Sequence, residues 1–274
     1  MSKLRSRLFR AVAVAGSLYY LIFIGLVLSL LIILWLSDDT VLSIIDDLDP
    51  GELVHRVHEY AVVILAWGLF TGVVLQIHRP RRKVAPMLQA VAVPVVVLVF
   101  DLTTSIFTLE DTLPLLLPVV VVAALHPEAR RLLRFGRPDR SMLALSTVAA
   151  VPWTLFAISQ TRLQARNLPG DVHLENGHWA FMASFAVVLV AWALIGASDL
   201  PGWRFTAWAA GIAPALYGGH SLAFSDLASA ASPMWAVAAI AWGAAYIVAT
   251  ELRARRRSAT RADDGVVVGV AGAV

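Results

Sequence analysis

The 274-residue sequence has no cysteine and only two lysines, Lys3 and Lys83. Without cysteine the chain can form neither disulfides nor thiolate metal sites. A retinal Schiff base is disfavoured, because neither lysine lies in an apolar segment. Charge is also scarce, since 15% of the residues are charged, whereas about a quarter are charged in a typical soluble domain. Neither a phosphate-binding glycine loop nor an H-E-x-x-H zinc motif is present.

Hydrophobic residues make up 59% of the chain and occur in long blocks. A block of about 20 residues crosses a hydrocarbon layer roughly 30 Å thick as a helix. Strands are excluded, because backbone groups in lipid must hydrogen-bond within their own segment. The predicted fold class is therefore an all-α integral membrane protein with about eight transmembrane helices. The predicted spans are 17–36, 59–77, 84–107, 112–126, 141–161, 178–198, 203–222 and 233–251.

The basic residues alternate with these spans in a way that predicts topology. Of the 22 basic residues, all except Arg56, Arg162 and Arg166 fall in alternate segments between the spans or at the termini. The positive-inside rule then predicts that both termini lie in the cytoplasm. The predicted localisation of the protein is the cell membrane. The basic runs adjoin anionic lipid, so nucleic acid is not an expected partner. The predicted organisation is a cytoplasmic N-terminus 1–16, a four-helix half 17–126, a cytoplasmic linker 127–140, a second four-helix half 141–251 and a disordered cytoplasmic tail 252–274.

The predicted outer side is acidic and carries five of the seven histidines, which are His55, His58, His173, His178 and His220. The string E-x-x-H occurs in both halves, ending at His55 and at His178, each near the start of a span. Internal duplication explains this recurrence, and chance recurrence of a short motif is the alternative. A histidine at a helix end can be an axial ligand of haem, or it can lie at the lipid interface bonded to loops and water.

The residues Glu52-Leu53-Val54-His55-Arg56 resemble the E-x-x-H-R motif at the start of the second span in the haem A synthase family. Members of that family have eight helices in two four-helix halves. The resemblance implies haem as cofactor and oxidation of a haem methyl group to a formyl group. It assigns the catalytic carboxylate to Glu52 and haem ligation to His55 and His178. The chain lacks the family's histidines at the starts of the fourth and eighth spans, where His220 or Met234 would be the substitute ligand.

Two other function classes remain open. Asp101 lies within the third predicted span, where a carboxylate is costly and marks a functional hypothesis. It would lie on the path of a small-solute or cation transporter, or it snorkels or is hydrogen-bonded beside Thr103, Thr104 and Ser105. The third class is a non-enzymatic membrane subunit that assists a respiratory complex, with respiratory-chain components as partners.

Overall fold

The computed structural model describes residues 3–36, 56–104, 109–134, 136–166, 168 and 170–271. In these residues the regular structure is entirely helical. The long helices are α1 (Lys3–Leu36), α2 (Arg56–Val74), α3 (Val84–Thr104), α4 (Leu109–Leu125), α5 (Arg140–Ala165), α6 (His178–Ala197), α7 (Trp203–Ala223) and α8 (Pro233–Ala271). Short helical turns at Leu75–Ile77, Pro80–Arg82, Ala129–Leu132 and Val172–Glu175 connect some of them.

Six of these helices are long and apolar enough to cross a membrane, as an all-α integral membrane protein requires. The apolar stretches are Leu4–Leu26, Arg56–Ile77, Val84–Thr104, Arg140–Ala165, His178–Ala197 and Pro233–Thr260. Helix α4 falls short because its apolar part, Thr112–Leu125, is brief. Helix α7 has 21 residues but includes polar ones such as Arg204, Thr206 and His220.

Two helices extend beyond the predicted spans. Helix α1 begins at Lys3 rather than near residue 17, and α8 continues to Ala271 rather than ending near 251. The spans were predicted from apolar composition, whereas a helix continues until a residue interrupts its hydrogen bonds. Residues 3–15 and 252–264 contain neither glycine nor proline, so nothing in them breaks the helix.

The helices pack in the same order in each half of the chain. In the first half α1 packs against α2, α2 against α3, α3 against α4, and α4 against α1. In the second half α5, α6, α7 and α8 form the same ring. Helices α2 and α3 contact α6 and α7, so the two halves meet along these four helices. This order is the one that duplication predicts, while superposition of the halves stays a prediction.

The seam between the halves is tightly packed. Trp192 of α6 is 1% exposed, and a Cβ atom added at Gly68 of α2 would collide with its indole ring. The indole Nε1 donates to the carbonyl oxygen of Gln89 in α3 at 3.0 Å. The Gln89 amide in turn donates to the carbonyl oxygen of Gly68 at 2.9 Å. Glycine is required at position 68 because the large ring occupies the space of any side chain there.

We call the end at which α2 and α6 begin the predicted outer end, and the opposite end the predicted inner end. At the inner end the buried Arg253 of α8 joins three elements. Its Nη1 and Nη2 donate to the carbonyl oxygens of Gly196 and Ser198 at 3.1 and 2.8 Å. Its Nε lies 3.5 Å from Asp139 Oδ2, and its guanidinium lies 3.9 Å above the Trp203 ring. Arg253 therefore satisfies carbonyl groups at the end of α6 that have no partner within the helix.

Candidate functional site

Three histidines and a tryptophan meet at the predicted outer end. His58 lies in the first turn of α2, His178 begins α6, and His173 lies in the short turn before α6. The His58 ring centroid is 4.8 Å from that of His178 and 5.0 Å from that of His173. Trp179 stacks on His173 at 4.9 Å. We call His58, His173, His178 and Trp179 the histidine cluster, and it joins the two halves of the chain.

A hydroxyl from the loop between α7 and α8 fixes the buried His58. The His58 side chain is 1% exposed, and its Nε2 lies 2.9 Å from Ser229 Oγ. Ser229 Oγ donates its single hydrogen to Gln160 Oε1 of α5 at 2.9 Å, so it accepts from His58. Nε2 of His58 therefore carries a proton. The Tyr217 hydroxyl donates to the Ser229 carbonyl oxygen at 2.5 Å, and Ser229 has a φ of 62°, in the left-handed region.

Asp171 holds the second-half side of the cluster in place. Its carboxylate accepts from the backbone N–H groups of His173 and Leu174 at 3.0 and 3.3 Å, and from Trp179 Nε1 at 3.0 Å. Its Oδ1 also lies 3.6 Å from His173 Nδ1. Partial burial acts to raise the pKa of Asp171, but the hydrogen bonds outweigh it and hold the pKa below its usual range. The carboxylate is therefore charged at neutral pH, and it orients the rings of His173 and Trp179.

His220 belongs to a neighbouring aromatic stack. It lies in the last turn of α7, and its ring packs on Tyr60 of α2 at 4.1 Å with the planes 11° apart. Phe224 also contacts His220, with ring centroids 4.7 Å apart and planes tilted by 46°. The Arg56 guanidinium lies 5.4 Å from the Phe224 centroid. This stack, like the histidine cluster, connects the first turn of α2 with the second half.

The predicted site residues have different outcomes. Glu52 and His55 lie outside the described residues. His178 lies in the histidine cluster, and His220 lies in the stack with Tyr60. Met234, in the first turn of α8, is 70% exposed, so its thioether faces away from the protein interior.

The residues that sequence reasoning missed are His58 as a cluster member and its partners Ser229 and Gln160. His58 had a signal, because it follows His55 by three residues, a spacing that predicts one helical face, and it lies at the edge of an apolar block. Ser229 and Gln160 had no such signal. Ser229 is 171 residues from His58 and 69 residues from Gln160 in the sequence, so no local pattern links them.

The geometry around Glu175 differs from the expected one. The E-x-x-H spacing predicts that Glu175 and His178 lie one turn apart on one helix. In the structure Glu175 ends the short turn Val172–Glu175, and α6 begins afresh at His178. Gly177 lies between them with a φ of 67°, which interrupts the helix. The exposed Glu175 is therefore on a separate element, and the carboxylate that orients the cluster is Asp171.

The cluster limits the cofactors that it can hold. Within the described ranges, no group of three histidine or acidic side chains is arranged to hold a metal ion. The His58 and His178 rings are stacked, with planes 22° apart, so a porphyrin cannot lie between them. A haem iron binds an imidazole through a ring nitrogen, in the plane of the ring, so two stacked rings could not ligate opposite faces of one haem. The described residues thus suit ligation of a haem iron by one imidazole. They do not suit ligation by His58 and His178 together.

Asp101 lies apart from the cluster, between α3 and α4. Its side chain is 5% exposed, and the Thr112 hydroxyl of α4 donates to its Oδ2. The adjacent Thr103 and Thr104 instead donate to backbone carbonyl oxygens of their own helix. A threonine of the next helix therefore bonds Asp101.

Comparison of the chain with family models, with curated proteins and with solved structures finds no match.

Proposed function

We propose that the chain is an eight-span membrane protein, with both termini in the cytoplasm, that binds haem at the histidine cluster. The observation that carries the proposal is that imidazoles from both halves meet at the end where α2 and α6 begin. An imidazole at the start of a rigid helix is a common haem ligand. Among the residues that the structure describes, His178 is the proposed ligand. His220 is a lesser candidate, because it stacks separately on Tyr60.

The eight-span topology rests on how α4 and α7 pack. Each completes the ring of four helices in its half. Helix α7 has 21 residues, which corresponds to a length of about 31 Å and matches the hydrocarbon layer. Its Thr206 and His220 are buried within the protein. The exposed Arg204 lies in its first turn and pairs with Glu251, so its polar residues are either buried or at the end of the helix.

Haem bound at this end would supply the redox group for converting a haem methyl group to a formyl group, as in the haem A synthase family, with an external oxidant taking the electrons and water or dioxygen supplying the oxygen atom. The resemblance gives Glu52 the catalytic carboxylate role and His55 a ligand role beside it. Asp171 has a positioning role, because it accepts hydrogen bonds from Trp179 and from the backbone of His173. Because the His58 and His178 rings are stacked, this pair would offer a bound haem one imidazole, and a high-spin spectrum is the expected signature.

The test is the optical spectrum of the full chain, expressed with ample haem and purified in detergent. We expect a Soret band and a high-spin spectrum in the unmodified protein. His178→Phe keeps an aromatic ring for the stack on His58 but cannot ligate iron, so haem per protein should fall several-fold. His78→Phe is the matched control, because His78 is exposed at the predicted inner end.

Three outcomes decide between ligands. Full haem content in the His55→Ala, His178→Ala double variant would show that these histidines are not the ligands. A six-coordinate spectrum that changes in His220→Ala or Met234→Ala would identify the substitute ligand. An unmodified protein that carries no haem would contradict the proposal and restrict the resemblance to topology.

Cation or small-solute transport is the second candidate, and the buried pair of Asp101 and Thr112 favours it. A charged group inside a membrane protein is costly unless it serves a path or a partner. The test is ion flux in proteoliposomes. Asp101→Asn should abolish flux, and Thr112→Val should alter it. Thr103→Val should leave it unchanged, because Thr103 is exposed and bonds only its own helix. If neither haem nor flux is found, the accessory-subunit hypothesis is preferred.

A further inference from the structure

A cavity of about 700 Å³ opens at the predicted inner end, far along the helices from the histidine cluster. It lies between the first turn of α1, the segment that follows α4, and the turn between α6 and α7. Its charged lining residues are Arg5, Arg130, Arg131, Arg134, Glu128 and Asp199. We call it the arginine cavity.

The charges of the arginine cavity do not cancel. Four guanidinium groups face two carboxylates, and Glu128 also lies 3.8 Å from Arg81 outside the lining. Arg130, Arg131 and Arg134 are exposed and form no ion pair with any residue that the structure describes. The cavity thus has an excess of positive charge that a bound anion would neutralise.

The position of the cavity matches the level at which the helices leave the apolar layer. Arg5 stands at the start of the apolar stretch Leu4–Leu26, and His126 directly follows the last residue of α4. Beside the arginines, Leu133 is 87% exposed and Leu4 is 77% exposed. Apolar side chains that are so exposed next to guanidinium groups are typical of a segment at the headgroup level of a bilayer.

We propose that the arginine cavity binds a phosphate ester. Arginine forms two parallel hydrogen bonds to phosphate oxygens, and the cavity lining contains four arginines and no lysine. The volume lies within the range of about 300–1,000 Å³ for ligand pockets, so it accommodates a phosphate with its attached group. Two sources supply this chemistry, an anionic phospholipid of the inner leaflet and a soluble phosphorylated compound. The exposed Leu133 and Leu4 favour the lipid.

The experiment measures ligand binding to the full chain in detergent, by native mass spectrometry and by the rise in melting temperature. The lipid arm uses phosphatidylglycerol, with phosphatidylcholine as the uncharged comparison. The soluble arm uses glycerol 3-phosphate. Arg131→Gln with Arg134→Gln should weaken binding about tenfold or more, because charge-assisted hydrogen bonds are lost. Arg255→Gln with Arg256→Gln is the control, since it removes the same charge from exposed positions at the same end.

Further variants separate the two sources and guard against misfolding. Leu133→Ser should lower the affinity for phosphatidylglycerol. It should leave the affinity for glycerol 3-phosphate unchanged, because a soluble ligand does not need the apolar side chain. Arg134→Lys keeps the charge but loses the paired N–H donors of the guanidinium group. We expect it to lower the binding affinity less than Arg134→Gln does. Binding of glycerol 3-phosphate alone would assign the site to a soluble ester. Equal losses in the cavity pair and the control pair, or no binding of either probe, would overturn the proposal. None of these results depends on haem binding at the histidine cluster.

Discussion

The two ends of the helical bundle use different polar chemistry. At the predicted outer end, imidazole, indole, amide and hydroxyl groups stack and bond with one another, as His58 does with His178 and Ser229. At the predicted inner end, the Arg253 guanidinium bonds to backbone carbonyl oxygens and to Asp139. A guanidinium keeps its charge at any physiological pH, whereas an imidazole can change its protonation or bind a metal. The outer end thus contains groups that can change protonation, whereas this part of the inner end contains a permanent charge that anchors backbone carbonyl groups.

The inner end itself contains arginines in two roles. Arg253 is 1% exposed and has acceptors for its Nη atoms within the protein. Arg131 and Arg134 are exposed and have no ion pair within the described part of the chain. Burial with satisfied hydrogen bonds indicates a structural arginine, while exposure around a cavity indicates one that can meet a ligand. Residue type alone does not separate these roles.

The largest expected effect comes from removing the anchor at the inner end. Arg253→Met leaves the carbonyl groups of Gly196 and Ser198 and the Asp139 carboxylate without this partner. We expect a loss of about 3 kcal/mol or more in stability, because breaking a buried pair leaves an uncompensated charge. Thermal unfolding in detergent measures it, with the exposed Arg256→Met as control. Equal melting temperatures for the two variants would refute the anchoring role.

A smaller effect is expected at the outer end, at Ser229. Ser229→Ala removes the bonds to His58 and Gln160 and should cost about 2 kcal/mol, since buried polar groups lose partners. Ser229→Gly loses the same bonds but relieves the left-handed backbone, which costs other residues about 1–2 kcal/mol. The glycine variant should therefore be the more stable of the two by about 1 kcal/mol. A glycine variant that melts below the alanine variant would contradict this backbone conformation.

The smallest effect concerns pH and Asp171. The folded protein lowers the pKa of this carboxyl group, so its contribution is complete above the unfolded pKa of about 3.9 and is lost as the pH falls through the folded value. Asp171→Asn keeps a helix-capping side chain but loses the charge. We expect it to be less stable by about 1 kcal/mol or less at neutral pH, with the difference vanishing well below pH 4. Melting temperatures of both proteins across pH check this, and a constant difference at all pH values would exclude the carboxylate as its cause.

The fold was largely accessible from the sequence, because apolar blocks and basic loops report on lipid contact directly. The breaks at Pro80 and at Gly202, for example, separate blocks that are legible in the sequence. Helix ends were less accessible, since α1 and α8 continue into polar residues that a composition argument excludes. The broken turn at Gly177 was also missed, because the E-x-x-H spacing assumes one continuous helix.

The sequence by itself determined the all-α membrane class of the protein and the succession of apolar blocks and basic segments along the chain. These properties follow from composition along short stretches of chain. Only the tertiary structure decided that His58 rather than Glu175 accompanies His178, that Ser229 accepts from His58, and that Arg253 is buried while Arg134 lines a cavity. Each of these facts depends on contacts between residues far apart in the chain. Helix packing sets such contacts, and no local pattern in the sequence encodes them.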